Sequence, residues 1–222
     1  MKPFDMNFML ELFPLLFKYL HVTISIAILS MIVGLLLSLG IEVIRIYRIK
    51  VLFPLSKIYV SFFRGTPLLV QLFLLYYGIP QIFPAFRSLT AYNAAVIGLS
   101  LNGSAYMAEI LRAAVNSVDK GQLEASLSVG MSKWQGLLRI VFPQAARVAL
   151  PSLGNTFVDL IKGSSLAFVM GVSEILAKAQ MSAAANYRFF ESYLAVALLY
   201  WVVIIIFTHM QKLLETRLNN AY

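Results

Sequence analysis

The sequence predicts an all-α integral membrane bundle of about five transmembrane helices with a polar elbow between the third and the fourth. Three observations predict it. Of 222 residues, 60% are hydrophobic and 13% charged, against about 45–50% and about 25% in ordinary soluble domains. Apolar runs of the ~20 residues needed to cross a core about 30 Å thick recur along the chain. The one long polar stretch is patterned like paired amphipathic helices. Together they exclude a soluble enzyme, a disordered chain and a disulfide scaffold. The absence of cysteine also excludes thiol catalysis and cysteine metal sites.

The first run, 19–44, carries only His21 and Glu42 as acidic or basic side chains. It is too long for a signal-peptide core and reads as an uncleaved span. The second, 55–79, is interrupted by Arg64-Gly65-Thr66-Pro67, and the third is 92–111. The fourth, 152–172, is interrupted by Asp159, Lys162 and Gly163-Ser164-Ser165. The fifth is 193–210, with Tyr193, Tyr200 and Trp201 as interfacial or packing aromatics. Five spans put the termini on opposite sides. Eleven basic residues lie on one side, between spans one and two, in the elbow and in the tail; five (Lys2, Lys18, Arg87, Lys178 and Arg188) lie on the other. The positive-inside rule therefore places the N-terminus outside and the C-terminus in the cytoplasm. The net charge of +8 is topology, with a contribution from anionic lipid. Because the basic residues are interleaved with spans, no nucleic-acid partner is expected. Residues 1–222 read as one transmembrane domain.

The elbow, about 113–151, opens with Asp119 and Gln122 at the spacing of a capping box. A short helix to 129 follows, with Leu123 and Leu127 on one face and Gly130 as a left-handed stop. Ser132 and Gln135 repeat the capping box and start a second helix. Its apolar residues Trp134, Leu137, Leu138 and Val141 fall at i, i+3, i+4 and i+7, and Pro143 is expected to end it. From pattern alone, an element lying on headgroups fits as well as one docking on a partner.

Specific residues favour docking. Glu124-Ala125-Ser126, Gly130, Ile140 and Pro143 stand at the spacing of the EAA loop of ABC importer permeases, with Ser126 and Phe142 as mild departures. Arg64-Gly65-Thr66-Pro67-Leu68-Leu69-Val70-Gln71, Ala105 to Arg112, and Lys162-Gly163-Ser164-Ser165-Leu166 resemble segments of the polar amino-acid branch, the histidine/glutamine-permease type. The resemblance covers about 15–215. It implies a subunit of an amino-acid importer in a prokaryotic cell membrane, with a cytoplasmic ABC ATPase dimer gripping the elbow. It also implies a second permease subunit, identical or a close paralogue, and an extracytoplasmic amino-acid-binding protein. Leu123, Leu127 and Trp134 are the candidate docking residues, with Glu124, Ala125, Gly130 and Pro143 shaping the coupling helix. No G-x-x-x-x-G-K-[ST] loop occurs, so ATP hydrolysis belongs to another polypeptide, and no cofactor is expected. The rival is a small ion-coupled carrier or a membrane scaffold, for which Asp159 and Glu109 are the only attractive ion sites.

Interrupted spans point to transport sites. Thr66 can cap a half-span helix beginning at Pro67, and Ser164 and Ser165 can present hydroxyls or loosened carbonyls. Each has a packing-kink alternative. Asn102, Tyr106 and Glu109, at i, i+4 and i+7, form a polar stripe that lines a cavity or bonds between helices; Gln71 can reach a zwitterion. Asp159 and Lys162, at i and i+3, form an ion pair or meet substrate charges. Arg64 faces the path, contacts a partner or snorkels. An ammonium would meet Glu109 or Asp159, and a carboxylate Lys162 or the Pro67 helix start. His21 and His209 are single and interfacial, so no metal site is expected.

Overall fold

The structure, a computed structural model, describes residues 3–220, with side chains through Arg217. In chain order the helices are α1 Met6–Ile46, α2 Leu52–Gly65, α3 Leu68–Phe73, α4 Ile79–Ile82, α5 Ala91–Ser117, α6 Lys120–Ser128, α7 Lys133–Gly136, α8 Phe142–Gly163, α9 Ile175–Asn186 and α10 Phe189–Asn220. Among the described residues there is no strand. Three helices, Met6–Ile46, Ala91–Ser117 and Phe189–Arg217, are long and apolar enough to cross a membrane. Two bent pairs raise the number to five if each is one span: α2 with Leu68–Ile82, bent by 110°, and Lys133–Met170 with α9, bent by 52°.

α1 starts well before residue 19. Asp5 caps it, accepting from Phe8 N–H at 3.0 Å, and Met9, Leu12 and Leu16 form a buried stripe against Ile175, Ala179 and Leu199. Glu11 and Lys18 stay on the exposed face. This tertiary anchor extends α1 to 41 residues, roughly 60 Å at 1.5 Å per residue. Lys2, counted above for topology, lies outside the described residues.

The centre of the fold is the α1–α5 crossing. Its contact surface includes Ser30 and Gly34 on α1 and Val96, Ser100, Ser104 and Met107 on α5. Helices in lipid gain little from burying apolar area against one another, so small residues that let backbones approach provide the cohesion. At Gly34 an added Cβ would stand 3.1 Å from Ser100 O and 2.5 Å from Met107 Cε. Ser30 Oγ donates to Val96 O at 3.2 Å across the same seam.

Pro143 does not end the second elbow helix. Residues Leu137–Val141 form a π-turn, in which Phe142 N–H reaches back five residues to Leu137 O, and α8 continues through Pro143 without a break. The wider turn accommodates a ring that would clash with a carbonyl in a regular α-turn. The same device precedes Pro80: Leu74–Gly78 is a π-turn closed by Ile79 N–H on Leu74 O. The π-turn also splits the expected apolar face of the second elbow helix. Leu137 and Val141 are buried, whereas Trp134 and Leu138 are exposed.

At Gly163-Ser164-Ser165 the α-helix gives way to the 3₁₀ segment Ser164–Met170, so the expected loosening is present. Both hydroxyls donate to a carbonyl three residues back. Ser164 is fully buried and donates to Ile161 O at 2.7 Å, and Ser165 donates to Lys162 O at 2.7 Å. Gly171, at φ +93°, then turns the chain into α9, a helix absent from the sequence-based expectations.

Candidate functional site

A cavity of about 780 Å³ lies between α5, α8 and the α2–α3 corner. Asn102, Tyr106 and Glu109 line it from α5, Asp159 from α8, and Arg64 and Leu68 from the corner. Thr66, Gln71, Lys162, Ser164 and Ser165 are not in its wall. The corner follows from local chemistry. A residue before proline prefers extended backbone, and Thr66 at φ −121°, ψ 148° ends α2. The N-cap of α3 is Pro67 itself, without a side-chain cap, so Thr66 does not cap that helix.

Thr66 and Gln71 instead hold the corner shut. Gln71 Nε2 reaches Thr66 Oγ1 at 2.8 Å, Phe63 O at 3.0 Å and Thr66 O at 3.1 Å. Its Oε1 accepts from Asn102 Nδ2 at 3.0 Å, and Asn102 Nδ2 also reaches Phe63 O at 3.0 Å. A glutamine amide can serve several such partners at once, and here it fixes the broken span to α5.

Glu109 is the electrostatic hub. Its Oε1 accepts from Arg45 at 2.8 Å, and its Oε2 from Arg112 at 3.0 Å, with Arg64 at 3.9 Å. Arg64 also lies over the Tyr106 ring at 5.6 Å, so it faces the cavity wall. Three guanidiniums around one carboxylate leave this end of the cavity net positive. Asp159 and Lys162 pair at 2.7 Å with both side chains largely exposed, the pairing that their i, i+3 spacing anticipates.

In the elbow, Asp119 Oδ1 accepts from Gly121 N–H at 2.7 Å rather than forming the reciprocal box expected with Gln122. Ser132 and Gln135 do form a capping box. Gly130 makes the stop at φ +84°. Gly136 lies so close to Ser126 and Leu123 that only a residue without Cβ fits, which sets the angle between α6 and α7. Leu123 therefore braces the elbow internally, while Glu124, Ala125, Leu127 and Trp134 are exposed. Trp134, 46% exposed, touches the Tyr47 ring at 6.4 Å, and Lys133 Nζ stands 5.2 Å over the same ring. The elbow thus rests on the end of α1, two residues beyond Arg45. Pro143 lies exposed in the first turn of α8.

Several connecting residues were not anticipated. Arg45 falls in a predicted loop but sits inside α1 with an 11% exposed side chain, and its partner is 64 residues away. Glu174 is fully buried and caps α9, accepting from Ala177 N–H at 2.6 Å and Leu176 N–H at 2.9 Å. Tyr200 donates to it at 3.2 Å and Thr23 at 3.4 Å, joining α1, α9 and α10. The sequence does carry one signal for it: an acidic residue immediately before the alanine-rich 175–186 stretch, an N-cap before good helix formers.

Residues 30–220 match the family described as binding-protein-dependent transport system inner membrane component. The chain is 57% identical over 219 residues to "Probable amino-acid ABC transporter permease protein PatM" of Vibrio harveyi, covering 99% of this chain and 98% of that protein. It is 52% identical over 222 residues to "Probable amino-acid permease protein YxeN" of Bacillus subtilis, covering 100% and 99%. Its backbone superposes with a TM-score of 0.89 on a crystal structure of an amino acid ABC transporter with histidines, at 35% identity over 97% of this chain and 100% of that one. The chain belongs to the family of binding-protein-dependent transport system inner membrane components.

Proposed function

We propose that this chain is the permease subunit of an ATP-binding-cassette importer that moves a polar amino acid across the membrane. The observation that carries the reading is the 780 Å³ cavity walled by Arg64, Asn102, Tyr106, Glu109 and Asp159. Its size lies within the range of about 300–1,000 Å³ of small-molecule sites. It holds both charge signs, as a zwitterion requires: Asp159 for the ammonium and the Arg64 side of the Glu109 cluster for the carboxylate. Asn102 and Tyr106 supply neutral polar contacts between the two. Glu109 is already engaged by arginines, so its part is to hold Arg64 and Arg45 in place. Lys162 balances Asp159, and Thr66, Gln71, Ser164 and Ser165 preserve the backbone breaks that shape the wall.

The elbow is the surface for a separate ABC ATPase, with Trp134, Leu127, Ala125 and Glu124 presented and Leu123, Gly130 and Pro143 shaping it. Movement of an ATPase dimer would push on Tyr47 through Trp134, and so on α1 and the Arg45–Glu109 pair at the mouth of the cavity. A second permease copy or close relative would complete the path, and a binding protein would deliver substrate from the opposite face. The N-terminus then lies outside and the C-terminus inside. The likeness to amino-acid ABC permeases supports this reading over an ion-coupled carrier or a scaffold.

The test is uptake of labelled amino acids by proteoliposomes holding this chain with its copurified ATPase, for the wild type and for Tyr106→Phe and Asp159→Asn. Both variants should insert normally and take up substrate at least about tenfold more slowly, the loss of roughly 1.4 kcal/mol of interaction each. Unchanged uptake in both would overturn the assignment of the cavity, and failure to copurify any Walker-motif ATPase would overturn the assignment of the elbow.

A further inference from the structure

A second cleft, of about 450 Å³, lies at the elbow end of the molecule where the ends of α1 and α5 meet the start of α2. Four cations line it, Arg45, Arg48, Lys57 and Arg112, against two carboxylates, Glu42 and Glu109. Arg45 and Arg112 are held by Glu109. The other two cations are not used: the Arg48 side chain has no hydrogen bond or ion pair among the described residues, and Lys57 only overlies the Phe53 ring at 4.5 Å.

Two further observations mark the cleft as built. Arg48 has φ +48°, in the left-handed region where a residue with a Cβ is strained and glycine is the usual occupant. It sits there at the end of α1, with its N–H on Arg45 O and the next N–H on Ile44 O. A glycine would serve this turn better, so the guanidinium is what the arginine adds. Glu42, 6% exposed, has a buried Oε2 with no hydrogen-bond partner, an orphan acceptor in the cleft wall.

The cleft also continues. Glu42 and Val115 belong equally to an adjoining slot of about 160 Å³, whose other walls are Leu39, Val43, Leu111, Phe142, Ala145 and Ala146. A polar basic chamber opening through a shared wall into an apolar slot is complementary to an amphiphile with an anionic head.

We propose that this composite cleft binds an anionic phospholipid of the leaflet on the elbow's side, with its phosphate on Arg48 and Lys57 and an acyl chain in the slot. The surplus of cations selects an anion, as basic pockets between membrane helices do. The apolar slot selects a lipid over a free phosphate, which could fill only the basic chamber. The site is separate from the amino-acid cavity, sharing with it only Glu109.

The experiment uses the full chain, purified in uncharged detergent and stripped of lipid, titrated with phosphatidylglycerol, phosphatidylcholine or inorganic phosphate, and followed by native mass spectrometry and thermal melting. Phosphatidylglycerol should bind saturably and raise the melting temperature, while phosphatidylcholine and inorganic phosphate should do neither. The Arg48→Gly/Lys57→Gln double variant should bind phosphatidylglycerol about 25-fold more weakly, from about fivefold per cation. Without lipid it should melt no lower than the wild type, because glycine relieves the backbone at 48. Wild-type affinity in the double variant, equal binding of phosphatidylcholine, or saturation by inorganic phosphate alone would each overturn the proposal. If the double variant fails to fold, Arg48→Gly alone carries the same comparison at about fivefold.

Discussion

Replacing Glu174 by alanine tests whether one buried carboxylate holds the far end of the bundle together. Glu174 accepts from Ala177 and Leu176 N–H at 2.6 and 2.9 Å and from Tyr200 and Thr23 hydroxyls at 3.2 and 3.4 Å. Bonds to an ionised acceptor contribute about 1.5–3 kcal/mol each, so the two short backbone bonds alone account for about 3–6 kcal/mol. Removing a buried charge returns part of that, because its desolvation no longer opposes folding. The net expectation is a loss of about 2–4 kcal/mol, which for a chain of this size corresponds to a fall in melting temperature of about 4–16 °C. The assay is the monodisperse fraction surviving heat treatment of detergent-solubilised protein, read by fluorescence size-exclusion chromatography. Glu174→Gln keeps one acceptor oxygen and should fall between the two. Tyr200→Phe should cost much less in the Glu174→Ala background than in the wild type. A Glu174→Ala protein that melts with the wild type would refute the reasoning, since four donors converging on one buried carboxyl, two of them in fully buried bonds, cannot all lose their acceptor without consequence.

Other perturbations have equally direct readouts. Gly130→Pro forces φ to about −65° where the turn requires +84°; substrate-stimulated ATP hydrolysis should vanish in the assembled transporter while membrane insertion, measured by protease protection, persists. Glu109→Gln removes the charge that pairs with the largely buried Arg45 and should cost about 3 kcal/mol, whereas Arg45→Met/Glu109→Gln should recover most of it in the same melting assay. Asn102→Ala leaves Gln71 Oε1 without a donor and removes one of the two donors to Phe63 O; it should lower stability by about 1–3 kcal/mol as well as slowing uptake. Gly34→Val inserts bulk between α1 and the Ser100 backbone and should destabilise by about 1–3 kcal/mol.

Much of this fold is legible because membrane spans are written locally. Apolar length locates α1, α5 and α10, and the breaks at Thr66-Pro67 and Gly163-Ser164 fall where backbone chemistry requires them. The elbow was readable for the same reason: Ser132–Gln135 and Gly130 act within one turn of themselves. The misreadings have a common origin in longer-range effects. Pro143 ends a regular helix, but a π-turn upstream changes what the ring meets. Residues 175–186 are too short to register as a span, and the Glu174 cap that starts them is held in place by α1 and α10. Within the site, the Asn102–Tyr106–Glu109 stripe was visible as a helical period, and all three residues line the cavity. Arg45, the partner of Glu109 from 64 residues away, leaves no local trace. Nor does the reassignment of Gln71 from ligand contact to corner brace, which depends on where Phe63 O and Asn102 happen to lie.

The π-turns also bear on how the chain can diverge. Each winds five residues where an ordinary turn would close on four, so each acts as an absorbed insertion. Deleting one residue from Leu137–Val141 would restore the regular ladder and press the Pro143 ring onto a carbonyl. Loss of a residue is thus penalised at 137–141, whereas a segment such as 83–90, which only joins α4 to α5, can gain or lose residues without pressing a proline onto a helix carbonyl. Among descendants of this sequence, substitutions should accumulate in the π-turns far more readily than gaps.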